Sequence, residues 1–126
     1  MRLDLLFAHA ADLQLDVEWA DLGEVRRGFY SDDLGLIVLD SSLTRAQATA
    51  TLAHEIGHAV FGDRCSTPKA ERRAWEYGAS LVVDVKDYQR AERIAGHCPS
   101  AVAAELGVTR RLVEAWQDWH HRKCGL

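Results

Sequence analysis

The sequence has few of the features that mark a secreted or membrane-spanning protein. It contains three cysteines in 126 residues, widely spaced and without a C-x-x-C pair, and only two prolines. An odd number of scattered cysteines does not make a disulfide framework, so we expect reduced thiols and a cytoplasmic location. No apolar run approaches the ~20 residues that a membrane span requires, and we expect no membrane contact.

Positive charge is also scarce. The formal net charge is −4, and residues 1–40 hold nine acidic residues against three arginines, a local balance of −6. This balance does not favour nucleic acid as the main partner. The length and the hydrophobic content of 48 % predict one folded domain over residues 1–126.

The most informative stretch of the chain is His54-Glu55-Ile56-Gly57-His58, which matches the pattern H-E-x-x-H. On a helix, two histidines four residues apart lie on one face and can both reach a zinc ion at roughly 2.0–2.1 Å. The intervening Glu55 then lies beside the metal, where it can hold and deprotonate a water molecule. The alternative is a pair of surface histidines. The surrounding helix is apolar, however, and buried imidazoles need partners that a metal would supply.

The hydrophobic pattern predicts an α+β fold, with a small sheet of about three strands and a helix bundle around the H-E-x-x-H helix. The third strand is almost entirely apolar and should be buried on both faces. The second, around Phe29 and Tyr30, should be a sheet edge able to pair with an extended peptide. We predict strands at 15–19, 25–30 and 34–39, and helices at 2–13, 44–61, 67–83, 84–95, 99–106 and 109–121.

A third metal ligand is expected from the helix that follows the motif. Gly57 inside a helix costs about 1 kcal/mol relative to alanine, which suggests that another element packs very close to it. On the next helix Glu71, Ala74 and Gly78 share one stripe, whose small residues suit that close approach. Such a crossing would bring Glu71 to the metal. Glu76 and Asp63 remain the alternatives for this ligand.

The other histidines and the cysteines are weaker candidates for a site. A second metal site built from Cys65, Cys98 and His97 lacks ligand spacing. His9 is expected at the surface or at its boundary with the core, and His120 and His121 at a frayed helix end.

The last two helices, residues 99–121, have the spacing of a helix-turn-helix, with Ala103, Gly107 and Val113 at its packing and turn positions. Arg110 and Arg111 would open the recognition helix. The segment is nearly neutral, so a role in covering the core or recognising a partner is favoured over DNA contact.

Taken in order, the strands, the sequence LAHEIGHAVFGD, the sequence ERRAWEYGA and the helical tail resemble the ImmA/IrrE family of zinc-dependent endopeptidases, especially its short phage or mobile-element members. The family hallmark is H-E-x-x-H followed by E-x-x-A-x-x-F/Y-A. The resemblance covers roughly residues 1–85, and residues 86–126 match only loosely as a helical tail. The matching positions are His54, Glu55, His58, Glu71, Ala74 and Tyr77, with Gly78 in place of the final alanine and Trp75 where a small polar residue is common.

The resemblance implies a minimal zincin-like core and a zinc metallo-endopeptidase of gluzincin type, with H-E-x-x-H plus a glutamate. It implies one Zn²⁺ per chain, with Mn²⁺ as the alternative, held by His54, His58 and Glu71, and Glu55 as the catalytic base. The implied substrate is a specific intracellular protein, a helix-turn-helix repressor of a phage or mobile element. Because one small domain should have a shallow cleft, we also expect narrow specificity set by docking of a folded partner. An additional oxyanion donor is expected, and Tyr77 is a candidate for it and equally for a core position. The alternatives are a non-proteolytic metal-binding regulator and a DNA-binding module acting through residues 99–121.

Overall fold

A computed structural model describes residues 1–124, and in this part of the chain six helices accompany a three-stranded mixed sheet. The predicted α+β class is therefore confirmed. The elements are α1 (Leu3–Asp12), β1 (Asp16–Ala20), β2 (Gly28–Ser31), β3 (Leu36–Asp40), α2 (Arg45–Phe61), α3 (Pro68–Val82), α4 (Val85–Ala95), α5 (Pro99–Leu106) and α6 (Arg110–Lys123).

The sheet has the strand order β1-β3-β2. β3 runs parallel to β1, with Asp16 opposite Leu36, and antiparallel to β2, with Gly28 opposite Leu39. Ile37 and Leu39 on one face of β3 and Val38 on the other are all buried, which confirms that this central strand is buried on both faces. β2 lies at an edge of the sheet, which confirms the predicted position of Phe29 and Tyr30.

The predicted starts of two strands were wrong. Val25 is almost completely exposed in a turn, and β2 begins only at Gly28. Its partner strand ends at Asp40, whose N–H donates to the carbonyl of Arg27. Residues before Arg27 therefore have no part of β3 left to pair with. β3 likewise begins after exposed Leu34. β1 is also an edge strand, and Trp19 is 47 % exposed. The predicted alternation of buried and exposed side chains is weak in β1, because only Val17 among its five residues is partly buried.

Capping residues define the starts of α2, which carries the H-E-x-x-H motif, and of α3, which carries the stripe of Glu71, Ala74 and Gly78. The Thr44 hydroxyl accepts the N–H of Gln47, and the Gln47 side chain accepts the N–H of Thr44, which completes the predicted capping box of α2. Thr67 caps α3 through the N–H of Ala70, and Pro68 occupies its first turn.

α2 and α3 cross at backbone contact distance. A Cβ atom on Gly57 would lie 2.7 Å from Cα of Ala74, and one on Gly78 would lie 2.7 Å from the carbonyl oxygen of Ala53. Side chains at these positions would therefore overlap the opposite backbone. This confirms the predicted pairing of Gly57 with the Ala74 and Gly78 stripe, and it fixes the relative position of the two helices.

The helical tail covers the core. Gly107 has φ +69° and forms the turn between α5 and α6, while Ala103 and Val113 are buried as their spacing predicted. The indole of Trp116 stacks on Tyr88 with ring centroids 4.1 Å apart, and its N–H donates to the carbonyl of Val83. Recognition of a partner or of DNA by residues 99–121 stays a prediction, and DNA contact stays the less favoured alternative.

Within residues 1–124, no helix combines the length and apolar character needed to cross a membrane.

Candidate metal centre

Two imidazoles of α2 and one carboxylate of α3 converge at the helix crossing. His54, His58 and Glu71 each offer a ligand atom, and these atoms lie within 4.8 Å of one another. Among residues 1–124 they are the one group of three or more histidine, cysteine or acidic side chains found in such an arrangement. The group could hold a metal ion.

The Glu71 carboxylate spans both imidazoles. Its Oε1 lies 2.8 Å from Nε2 of His54, and its Oε2 lies 2.9 Å from Nε2 of His58. The same two imidazole nitrogens and one carboxylate oxygen are a donor set that suits Zn²⁺ and related divalent ions, so the chemistry of these residues fits a metal. Nothing in the geometry identifies zinc in particular.

The pKa of Glu71 lies below its usual value. Burial acts to raise the pKa, but it is outweighed by a hydrogen bond from the Ser66 hydroxyl, 2.9 Å from Oε2, and by the positive charges of His58 and His54 when protonated. The carboxylate is thus kept in the ionised form that ligation needs. Sequence reasoning missed Ser66, whose closeness to Glu71 depends on how the short α2–α3 loop folds.

Glu55 lies next to this group without joining it. It is buried within α2, with a side chain 8 % exposed, and its Oε2 lies 3.2 Å from Nδ1 of His54. It also forms part of the cleft wall beside the three residues. Its carboxylate therefore contacts His54 at the nitrogen opposite the one that faces Glu71.

Asp63 contacts His58 from outside the group of three residues. It was an alternative for the third ligand, but it lies outside the convergent set and bonds Nδ1 of His58 through Oδ2 at 2.9 Å. Its other oxygen accepts from Arg73 at 3.2 Å. A carboxylate on the far nitrogen of a ligand histidine orients the ring and selects its tautomer. The structure therefore gives Asp63 an orienting position.

Glu76 and Tyr77 lie away from the group. Glu76, the other alternative ligand, forms an ion pair with Arg122 of α6 and is absent from the convergent set. Tyr77 packs edge-on against Phe61 and is not among the residues that line the cleft. All three cysteines are exposed, and Cys65 alone lines the cleft.

An open cleft of about 340 Å³ leads to the three residues, with β2 along one side. Tyr30 of β2 lines it and donates its hydroxyl to Oδ1 of Asp32 at 2.7 Å. Burial, the hydrogen bond to Asp32 and its negative charge raise the pKa of Tyr30 to about 12. Tyr30 is therefore a neutral O–H donor in the cleft. The sequence signalled its strand as an edge, but it did not indicate this role.

Trp75 and Arg111 support the other side of His54. The imidazole of His54 stacks on the Trp75 indole with centroids 4.3 Å apart and planes 16° apart. The Arg111 guanidinium lies 4.5 Å from the centroid of the same indole. The first turn of α6, predicted as the start of a recognition helix, thus reaches the edge of the candidate metal centre.

Fold and site together define an α+β protein with a histidine–histidine–glutamate group that could hold a metal ion, next to a buried glutamate. No protein-family model matches the chain, and no curated protein matches it.

Proposed function

We propose that the protein is a zinc-dependent endopeptidase of minimal zincin type, which hydrolyses a peptide bond in a specific partner protein. The observation that carries this proposal is the convergence of His54, His58 and Glu71 beside buried Glu55 at the end of an open cleft. A purely structural metal site is closed by protein ligands, whereas a catalytic one keeps a position open to the solvent.

His54, His58 and Glu71 would hold the metal, with Zn²⁺ as the expected ion and Mn²⁺ as the alternative. When bound, such an ion supplies Lewis acidity, which lowers the pKa of water and polarises a carbonyl group. Asp63 and Trp75 would keep the two imidazole rings in place, through the hydrogen bond to His58 and the stack on His54.

Glu55 would act as the general base. Its buried carboxylate would accept a proton from the attacking water and then deliver it to the amine that leaves when the peptide bond breaks. A carboxylate does this well when it is held close to the reacting atoms and shielded from bulk water. Its position on the cleft wall supports this role.

The edge strand β2 would align the substrate. Gly28, Phe29 and Tyr30 line the cleft, and one side of β2 has no neighbouring strand in the sheet. An extended peptide could add to this edge through main-chain hydrogen bonds. The Tyr30 hydroxyl, whose single proton is donated to Asp32, would have to turn from that carboxylate to donate to the oxygen that becomes negative in the transition state.

The resemblance to the ImmA/IrrE family supports a helix-turn-helix repressor of a phage or mobile element as the partner. The cleft is open and small, which also supports recognition through docking of a folded partner over general proteolysis.

The test compares wild type with Glu55→Gln in two measurements. Elemental analysis should find one zinc per chain in both. Labelling of newly formed protein N-termini in a lysate of the cells that encode the protein should reveal one or a few cleavage sites with wild type and none with Glu55→Gln. Equal results for both proteins would favour the non-proteolytic metal-binding regulator, and indiscriminate digestion of casein would contradict narrow specificity.

The ligand set has its own control pair. Glu71→Ala should greatly weaken zinc binding, whereas Glu76→Ala should leave it unchanged, because Glu76 pairs with Arg122 away from the site. Zinc retained by Glu71→Ala would contradict the proposed site.

A further inference from the structure

A second cavity, of about 240 Å³, adjoins the metal cleft. Gly28, His54 and Glu55 line both cavities, so these residues form the boundary between them. The far walls of the second cavity come from Arg27, Trp75 and Arg111. It therefore opens directly beside the group to which we assign the reaction.

The residues that line the second cavity carry two positive charges, on Arg27 and Arg111, against one negative charge, on Glu55. Arg27 and Arg111 are exposed, and neither forms an ion pair with a carboxylate in residues 1–124, in contrast to Arg64 of the metal cleft. Arg64 pairs with Asp32 and Asp33, and Arg73 pairs with Asp63. Glu55 is the single acidic residue among those lining the second cavity.

The backbone places the two arginines of residues 26–27 in different cavities. Arg26 lines the metal cleft, whereas Arg27, the residue before β2, lines the second cavity. Arg27 directly precedes Gly28, which begins β2 and lines both cavities. A peptide that adds to β2 beside Glu55 would therefore have the second cavity next to it.

Trp75 holds the other arginine in position. The Arg111 guanidinium lies 4.5 Å from the centroid of the indole, a cation–π distance, and the indole is itself fixed against His54. A guanidinium that stacks by its plane keeps its N–H groups at the edge free for a bidentate carboxylate. The cavity thus offers preorganised donors for an anion of that shape.

We propose that this second cavity binds the side chain of an aspartate or glutamate next to the cleaved bond, a role that rests on the proposed endopeptidase function. Arg27 and Arg111 bind the carboxylate, and they are specificity-determining residues. The protein then selects substrates that carry an acidic residue at one fixed position from the cleavage site.

Binding of a small probe tests this subsite without any cleavage. Zinc-loaded, ¹⁵N-labelled protein is titrated with acetyl-glutamate amide and, as the neutral match, with acetyl-glutamine amide. The glutamate probe should shift the Trp75 indole and Arg111 Nε–H signals and bind at least roughly threefold more tightly than the glutamine probe. Arg111→Gln and Arg27→Gln should each reduce this preference. Arg110→Gln is the matched control, since Arg110 pairs with Glu114 on the same turn and does not line the cavity.

The inference is overturned if the two probes bind alike, or if glutamate binding survives both arginine substitutions, in which case the carboxylate is held elsewhere. Inorganic phosphate that shifts the same signals at lower concentration than the glutamate probe would also overturn it, in favour of a phosphate site. If the glutamate probe binds but wild type cleaves no protein, the proposed endopeptidase function fails while the carboxylate site remains. Cleavage sites with no acidic preference, together with equal probe binding, would refute this inference alone.

Discussion

Nδ1 of His58 lies 2.9 Å from Oδ2 of Asp63, a residue just beyond the end of the same helix. The hydrogen bond leaves Nε2, the nitrogen that faces Glu71, as the one available to a metal. Asp63 is in turn held by Arg73 of α3. These two contacts thus link the imidazole of α2 to α3.

We expect Asp63→Asn to weaken zinc binding about 10- to 100-fold, because the imidazole loses the carboxylate that orients it and raises its basicity. Competition with a fluorescent chelator measures the zinc dissociation constant. Asp87→Asn, a change at an exposed position of α4, is the control. An unchanged dissociation constant for Asp63→Asn would show that the hydrogen bond has no such effect.

Gly57→Ala should destabilise the protein although alanine favours a helix by about 1 kcal/mol over glycine. The added methyl group would overlap the Ala74 backbone, and the overpacking should cost about 1–3 kcal/mol beyond that gain. Urea unfolding gives the free energy of unfolding, and Arg72→Ala at an exposed position of α3 should be nearly neutral. Higher stability of Gly57→Ala would mean that the helices separate easily.

Asp40 should make stability depend on pH below neutrality. The hydroxyl of Ser42 and then the N–H of Leu22 bond its carboxylate, and these hydrogen bonds lower the pKa of Asp40. The ionised form therefore stabilises the fold above the pKa of the unfolded chain, about 3.9, and that stabilisation is lost as the pH falls through the lower folded-state pKa.

Asp40→Asn should accordingly have a lower urea midpoint than wild type at pH 7, and the difference should shrink as the pH falls from about 4 towards 2. Asp12→Asn, at the exposed end of α1, serves as the comparison. A difference that stays constant over this range would assign the effect of Asp40 to packing instead of charge.

Trp116 and Trp19 allow the effect of removing a tryptophan to be compared between a buried and a half-exposed position. Trp116 is 2 % exposed, stacks on Tyr88 and donates to Val83, so we expect Trp116→Ala to cost roughly 3–5 kcal/mol. Trp19 is 47 % exposed, and Trp19→Ala should cost far less. Denaturant unfolding measures both. Equal losses would argue against the docking of α6 on the core.

The local parts of this structure could be predicted from the sequence. The starts of α2 and α3 follow from Thr44 and Thr67, whose side chains bond their own helices. The close crossing of α2 and α3 was also indicated by the sequence, since a glycine inside a helix costs stability unless something packs against it. A helix crossing at Gly57 predicted Glu71 as the third ligand, and the structure brings Glu71 to His54 and His58.

The contacts that the sequence did not reveal are those between elements. The place of Asp63 depends on how the chain turns after α2, and the stack of Arg111 on Trp75 depends on how α6 docks on α3. Val25 misled because a β-branched residue in a turn has the same local pattern as one in a strand. The sequence pattern of a segment identifies a helix or a strand, but it does not identify the elements that pack against it.

The helical hairpin of α2 and α3 has a consequence for folding. His54 and Glu71 lie 17 positions apart, and the loop between their helices spans only residues 62–67. Short loops lose little entropy on closure, and local contacts form fast. The three candidate ligands can therefore meet while the later helices are still unfolded, so that an ion captured by the hairpin would act as a template on which the rest of the chain assembles.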